Sequence, residues 1–162
     1  VSNEAAAVEL IPLLVKQGIE FVVVGGMAAV LHGAPISTHD IDIVHRRTPE
    51  NGQRLLEVLQ SLHARYRGQP TGRILEPNLS ALLGRGHLNL MTDLGPLDVL
   101  CEIEGDLGYE ELLPCAVRFG SEETSFWTLG LPKIVEIKKS SLRAKDRLML
   151  PLLISLLERD EN

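Results

Sequence analysis

No apolar run among the 162 residues reaches the ~18 that a membrane-spanning helix needs, so the chain is not expected to enter a bilayer. Val1 to Ala7 lacks the basic start of a secretory leader, and Glu4 and Glu9 interrupt any apolar segment there. The expected compartment is therefore the cytoplasm. Cysteine is scarce: Cys101 and Cys115 form no CxxC pair and predict buried thiols rather than a disulfide or a zinc site. The five histidines, His32, His39, His45, His63 and His87, have no spacing that suggests a metal cage. Internal repeats and low-complexity tracts are missing as well. So is an excess of positive charge. A net charge of -6 argues against a protein that coats nucleic acid, because such binding works by neutralising phosphates with Lys and Arg.

The charge is unevenly spread. From Lys133 to Arg147 there are six basic residues (Lys133, Lys138, Lys139, Arg143, Lys145, Arg147) against Glu136 and Asp146, a local balance of +4, which leaves -10 for the remainder. A compact basic patch on an acidic chain suits a triphosphate better than a long polyanion. The length allows one core and is too short for two ordinary domains. The expectation is one domain over 1-162, with a core over about 1-130 and a C-terminal helical segment over about 131-162.

In chain order, Ser2 or Asn3 can cap a helix that stops at Gly18, with Pro12 bending it or delaying its start. Glu20 to Val24 reads as a strand apolar on both faces, followed at once by Gly25-Gly26 and a short helix from Met27 to His32. Ala34 to His39 is a loop and Asp40 to His45 a second strand. Thr48, Pro49 and Glu50 form a helix start, and Leu55, Leu56, Leu59 and Leu62 its buried stripe, out to about Ala64. Arg65 to Asn78 reads as a connection with at most a short strand at Ile74 and Leu75, and Leu79 to Leu83 is ambiguous. His87 to Thr92 and Leu97 to Glu102 predict a hairpin turning at Gly95-Pro96. A helical turn at Tyr109 to Leu113 and extended segments at Ala116 to Phe119 and Ser125 to Trp127 follow, with Trp127 as a core residue. Helices over Pro132 to Lys139 and Arg143 to Arg159 end the chain. Apolar residues wrap nearly all round the last of these, which predicts burial against the sheet, a homodimer mate or a partner protein, and Pro151 should kink or split it.

The chemistry concentrates in Val22 to Val44. Asp40 and Asp42 are two residues apart, so on a strand they share a face while Ile41 and Ile43 take the other. Two like charges side by side repel unless a cation sits between them. A carboxylate pair beside a glycine turn thus suggests a divalent metal next to a phosphate site. Asp98 faces opposite to Leu97 and Val99, and it joins the pair as a third carboxylate if its strand lies beside Asp40 to Val44 in the right register.

An apolar strand, Gly25-Gly26, thirteen intervening residues and then Asp40-Ile41-Asp42 resembles the first motif of the nucleotidyltransferase superfamily typified by DNA polymerase beta. The likeness is greatest to the small bacterial branch of minimal nucleotidyltransferases and AbiEii-type toxins, and it extends to Asp98 and more loosely to Lys138 and Lys145-Asp146. It implies an α/β fold, a small mixed sheet flanked by helices with helices at the C-terminus. It also implies transfer of a nucleoside monophosphate from a nucleoside triphosphate to an acceptor hydroxyl. Asp40, Asp42 and Asp98 would hold magnesium, two ions or manganese in their place, with Asp98 also positioning the attacking hydroxyl. Gly25 and Gly26 would bring backbone N–H groups to the β- and γ-phosphates, Ser37 or Thr38 would add a hydroxyl, and Lys138 or Lys145 would neutralise the triphosphate. Two positions depart from the pattern: Gly26 stands where many relatives carry serine, and Ile36 where a basic residue often precedes the Thr-x-Asp-x-Asp segment.

A dinucleotide-binding fold competes for the strand, glycines and helix but fails on spacing, since Gly25-Gly26-Met27-Ala28-Ala29-Val30 is not Gly-x-Gly-x-x-Gly. A carboxylate-metal phosphohydrolase stays open, as does a catalytically retired protein that binds nucleotide or a partner. The acceptor is not legible: a small alcohol, an RNA 3′ end and a protein side chain all satisfy the sequence.

Overall fold

The computed structural model describes residues 3–161, with side chains from residue 7 onward. Its first helix, α1 (Asn3–Lys16), runs through Pro12 without interruption. The cap expected at Ser2 or Asn3 lies outside the described side chains. Gly18, at φ +69°, ends the helix in the left-handed region. Its N–H donates to the carbonyl of Val15 (3.0 Å) and that of Ile19 to Leu14 (3.1 Å), which satisfies carbonyls that a helix end leaves open.

Strand β1 (Phe21–Val24) is buried along its whole length and passes directly into α2 (Gly25–Leu31), so this helix begins at the glycines themselves. Strand β2 (Ile41–His45) follows the loop. Helix α3 (Pro49–Ser61) is capped as its sequence predicts: the Thr48 side chain accepts from the Asn51 N–H, and Leu55, Leu56, Leu59 and Leu62 are buried. Asn51 does more than its position suggests. Fully buried, it accepts from the Glu20 N–H (2.8 Å) and donates to the carbonyls of Glu20 (3.0 Å) and Arg46 (2.8 Å), tying the start of β1 to the end of β2.

The short strand expected at Ile74 and Leu75 falls instead at β3 (Arg65–Tyr66), which pairs with β4 (Leu88–Thr92). Leu75 only accepts the Tyr66 N–H through its carbonyl. The ambiguous Leu79 to Leu83 is helix α4 (Leu79–Leu83), capped by Asn78. The hairpin to β5 (Gly95–Leu100) turns at Asp93-Leu94, not at Gly95-Pro96. Thr92 fixes that turn: its hydroxyl donates to the Gly95 carbonyl (2.8 Å) and accepts the Leu94 N–H (3.1 Å). Pro96 is tolerated inside β5 because the neighbouring β2 begins one residue later, with Ile41 opposite Leu97, so no ladder bond is lost on that side.

Helix α5 (Tyr109–Leu112) and a 3-10 turn lead to β6 (Ala116–Phe119) and β7 (Phe126–Leu129). Helices α6 (Leu131–Ser140) and α7 (Ala144–Asp160) complete the order. The seven strands form one mixed sheet, β3-β4-β5-β2-β1-β7-β6, in which β2 with β5 and β1 with β7 are parallel and the other pairs antiparallel. The core packs on both faces of its centre, where Val22, Val23, Ile43, Leu97 and Val99 are wholly buried.

The C-terminal helix departs from expectation twice. Pro151 does not split it, and since Pro151 and Arg147 are both exposed, the carbonyl that loses its partner is on the solvent side. Nor is the helix buried all round: among its apolar residues only Leu153 is buried, and Leu148 is 83% exposed. Cys101 is buried and Cys115 half-buried, both as free thiols. Trp127 is half-buried, with the Arg118 guanidinium over its ring. No helix among the described residues is long and apolar enough to cross a membrane.

Candidate active site

Strand register assembles the site. The parallel pairing of β2 and β5 sets Asp42 directly opposite Asp98, and the β4–β5 hairpin sets Asn89 opposite Asp98 on the other side. Cross-strand neighbours share a face, so Asn89, Asp98 and Asp42 form one row over three strands. Arg67 extends the row: its N–H donates to the Asn89 carbonyl (2.9 Å), which continues the β3–β4 ladder by one residue. From there its guanidinium reaches over to the carboxylates, donating through Nη1 to Asp40 Oδ1 (3.0 Å) and through Nη2 to Asp98 Oδ1. Asp40 stands one residue ahead of β2, on the same side as Asp42.

Gly25 and Gly26 are bound to this row from the other end. Gly25 has φ +65°, and a Cβ there would occupy the space of the Asp42 carboxylate. A Cβ on Gly26 would lie 2.8 Å from the Thr38 hydroxyl. The glycines therefore admit two side chains of this same chain, Asp42 and Thr38, close against the backbone. Thr38, whose hydroxyl also donates to the Asp40 carbonyl (3.2 Å), orders the loop that delivers Asp40. Ser37 is exposed.

A cleft of 560 Å³ opens beside the row, lined by Gly25, Asp42, Asn89 and Asp98 on the sheet and by Lys138, Arg143 and Asp146 on the C-terminal helices. Lys138 therefore lines the same cleft as Asp42 and Asp98. It arrives paired. Its ammonium donates to Asp146 (2.6 Å), and Asp146 also accepts from the Ser141 hydroxyl (2.6 Å). Burial alone would raise the Asp146 pKa, but the hydrogen bonds from Lys138 and Ser141 and the charges of Lys138 and Arg143 outweigh it and hold the carboxyl below its ordinary range. Lys145 is exposed on α7 and does not line the cleft.

The electrostatics of the row follow from crowding. Burial first, then the Asp98 charge and hydrogen bond and the Asp40 charge, push the Asp42 pKa up to about 7 despite Arg67. Asp98 is raised as well, mainly by burial, with Arg67 opposing. Both shifts run the same way: burial and mutual repulsion at this pair disfavour the doubly charged form. Such a pair is short of positive charge. Its hard oxygen donors are those that magnesium and manganese take, so in donor chemistry Asp42 and Asp98 fit a divalent cation. As placed, no three His, Cys, Asp or Glu side chains among the described residues form a ready metal cage, and Asp40 is turned to Arg67.

No protein-family model matches the chain, and no curated protein does either. Solved structures do. One is a "putative nucleotidyltransferase" from Thermotoga maritima, with a TM-score of 0.55 and 15% identity over 92% of this chain and 91% of that one. The fold is nucleotidyltransferase-like. An "antigenic nucleotidyltransferase-like protein" from Paracoccidioides brasiliensis also matches, with a TM-score of 0.50 and 18% identity over 98% of this chain and 78% of that one.

Sequence reasoning missed three residues of this row and cleft. Arg67 is one of three arginines in a stretch without periodicity, and only the β3–β4 pairing singles it out. Asn89 carries a signal in the alternation of β4, which puts it on the face opposite Leu88 and Leu90. Arg143 is one of six cations in the basic stretch and is distinguished only by reaching Glu104 across the cleft.

Proposed function

We propose that the chain is a metal-dependent nucleotidyltransferase that moves a nucleoside monophosphate from a nucleoside triphosphate to an acceptor hydroxyl. One observation carries this reading: two half-buried aspartates paired in register, short of positive charge, at the glycine end of β1 in a nucleotidyltransferase-like fold. Asp42 and Asp98, joined by Asp40, would hold magnesium or manganese. The bound cation supplies charge to stabilise the α-phosphate and the departing pyrophosphate.

The chain's own residues do the rest. Asp98, in register with Asp42 at the edge of the cleft, orients the acceptor hydroxyl and takes its proton. Gly25 and Gly26 leave the backbone N–H groups at the start of α2 bare for phosphate oxygens. Lys138, facing the row from α6 across the cleft, neutralises the triphosphate after exchanging Asp146 for it.

Incubation with each labelled triphosphate, magnesium and cell extract should move label onto an acceptor. With that acceptor, Asp98→Asn should keep most of the triphosphate affinity while single-turnover transfer falls by ~10² or more, the scale of lost general-base help. Undiminished transfer in Asp98→Asn refutes the assignment.

A further inference from the structure

We propose that Arg67 is a displaceable counterion of the carboxylate row: in the metal-free protein its guanidinium occupies the oxygens of Asp40 and Asp98 that a divalent cation takes, so cation binding requires its release. The inference rests on the nucleotidyltransferase reading of that row and assigns a role to a residue outside its motif.

Three observations carry it. Arg67 makes two ion pairs at once, Nη1 to Asp40 and Nη2 to Asp98, and so spans two of the three carboxylates with one planar fork. Its third nitrogen, Nε, is buried without a hydrogen-bond partner. The side-chain hydrogen bonds of the guanidinium thus go to the two carboxylates, through Nη1 and Nη2. Finally, Arg67 is held by little else. It lies just past the two-residue β3, anchored by its N–H to Asn89, and its side chain is 28% exposed.

The energetics point the same way. Asp40, Asp42 and Asp98 carry three formal charges, and Arg67 answers one of them. A divalent cation brings twice the charge at shorter range, and where it takes Asp40 Oδ1 and Asp98 Oδ1, the oxygens that Arg67 holds, guanidinium and cation exclude one another. The row is thereby held together before any ligand arrives, and apparent metal affinity is lowered by the cost of dislodging Arg67.

Mn2+ binding, followed by the electron paramagnetic resonance of the free ion, tests this directly. Arg67→Met keeps the length and removes the charge, and it should bind Mn2+ at least about tenfold more tightly than the wild type. Its melting temperature should be lower without metal, with the gap closing at saturating Mg2+. Arg67→Lys, which folds with the charge kept but cannot fork across two carboxylates, should fall between the two. An arginine that merely scaffolds the site gives the opposite order, with weaker Mn2+ binding in both variants. That result, or equal affinity in the wild type and Arg67→Lys, overturns the proposal while leaving the nucleotidyltransferase reading intact. Failure of the wild type and both variants to bind Mn2+ would overturn both.

Discussion

Asp42→Asn should stabilise the metal-free protein at alkaline pH, because it removes a charge that the fold holds at a cost. The amide is close in shape to the protonated carboxyl, and its N–H can donate to Asp98 as that proton does. The sign follows from linkage. The folded pKa of Asp42, about 7, lies above the ordinary value of 3.8, so the native state binds this proton more tightly than the unfolded chain. The resulting stability is fully present below pH ~4, declines as pH rises, and is gone above ~7. The rise from 3.8 to about 7 sets a ceiling of about 4 kcal/mol. Solvent screening at this half-buried position reduces it, and about 2 to 3 kcal/mol is the expectation.

Urea unfolding in chelator at pH 5 and pH 8.5 reads this difference. The wild type should lose stability between the two relative to Asp42→Asn, the two proteins being closest at pH 5. Added Mg2+ should then recover stability in the wild type at pH 8.5 and do little for Asp42→Asn, since the cation stabilises only a form that binds it. Parallel pH profiles, or a variant less stable at pH 8.5, would refute the reasoning, because Asp42 would then not be a site of uncompensated charge.

The two glycines should respond differently to the same change. Gly25→Ala combines a φ of +65° with a Cβ placed on the Asp42 carboxylate, and it should cost about 2 kcal/mol or more in thermal unfolding, while Gly26→Ala meets only the Thr38 hydroxyl and should cost less. Equal losses would mean that Asp42 does not set the requirement at Gly25. Asp146→Asn leaves Lys138 and Ser141 without their charged partner at a buried position and should cost about 1 to 3 kcal/mol at pH 7. Because the folded pKa of Asp146 is depressed, the wild type keeps this contribution above the ordinary carboxylate pKa and loses it as pH falls through the lower folded value, so the two proteins should converge in acid denaturation.

What the sequence made legible was local. Asp40 and Asp42 could be placed on one face from their spacing, and Thr48-Pro49-Glu50 marked a helix start from the chemistry of its own few residues. Asp98 was legible only as a condition, because its meeting with Asp42 depends on the parallel pairing of β2 and β5, which no spacing between distant segments encodes. Arg67 was out of reach for the same reason, and its neighbours Arg65 and Arg73 look identical to it in the sequence. The glycine-proline pair at 95 and 96 misled because its usual meaning, a turn, presumes strand partners on both sides, and Pro96 has none toward β2. The glycines also carry a requirement that the sequence does not show: Gly25 meets the Asp42 side chain in the folded chain, so the glycine turn and the aspartate motif are two halves of one contact.

The basic stretch tests how far charge counting carries. Its balance of +4 predicts an open anion-binding patch, yet only Lys138 and Arg143 of its six cations line the cleft, and both are answered there, Lys138 by Asp146 and Arg143 by Glu104. Over the aspartate row, Arg67 is answered by Asp40 and Asp98. The charges of the row and of the cleft are thus paired from within. A bare anion would have to strip Lys138 from Asp146 and cost that buried carboxylate its nearest cation, and a bare cation would have to strip Asp98 from Arg67 and cost the guanidinium one of its carboxylates. On the function proposed above, a metal-bound triphosphate would bring both signs together: its cation would meet the aspartate row while its phosphates met the displaced cations, and Ser141 and Arg143 already face the Asp146 carboxylate that Lys138 would leave. Selectivity for the complex over either ion alone would then follow from charge that the fold pairs internally, without a dedicated open patch.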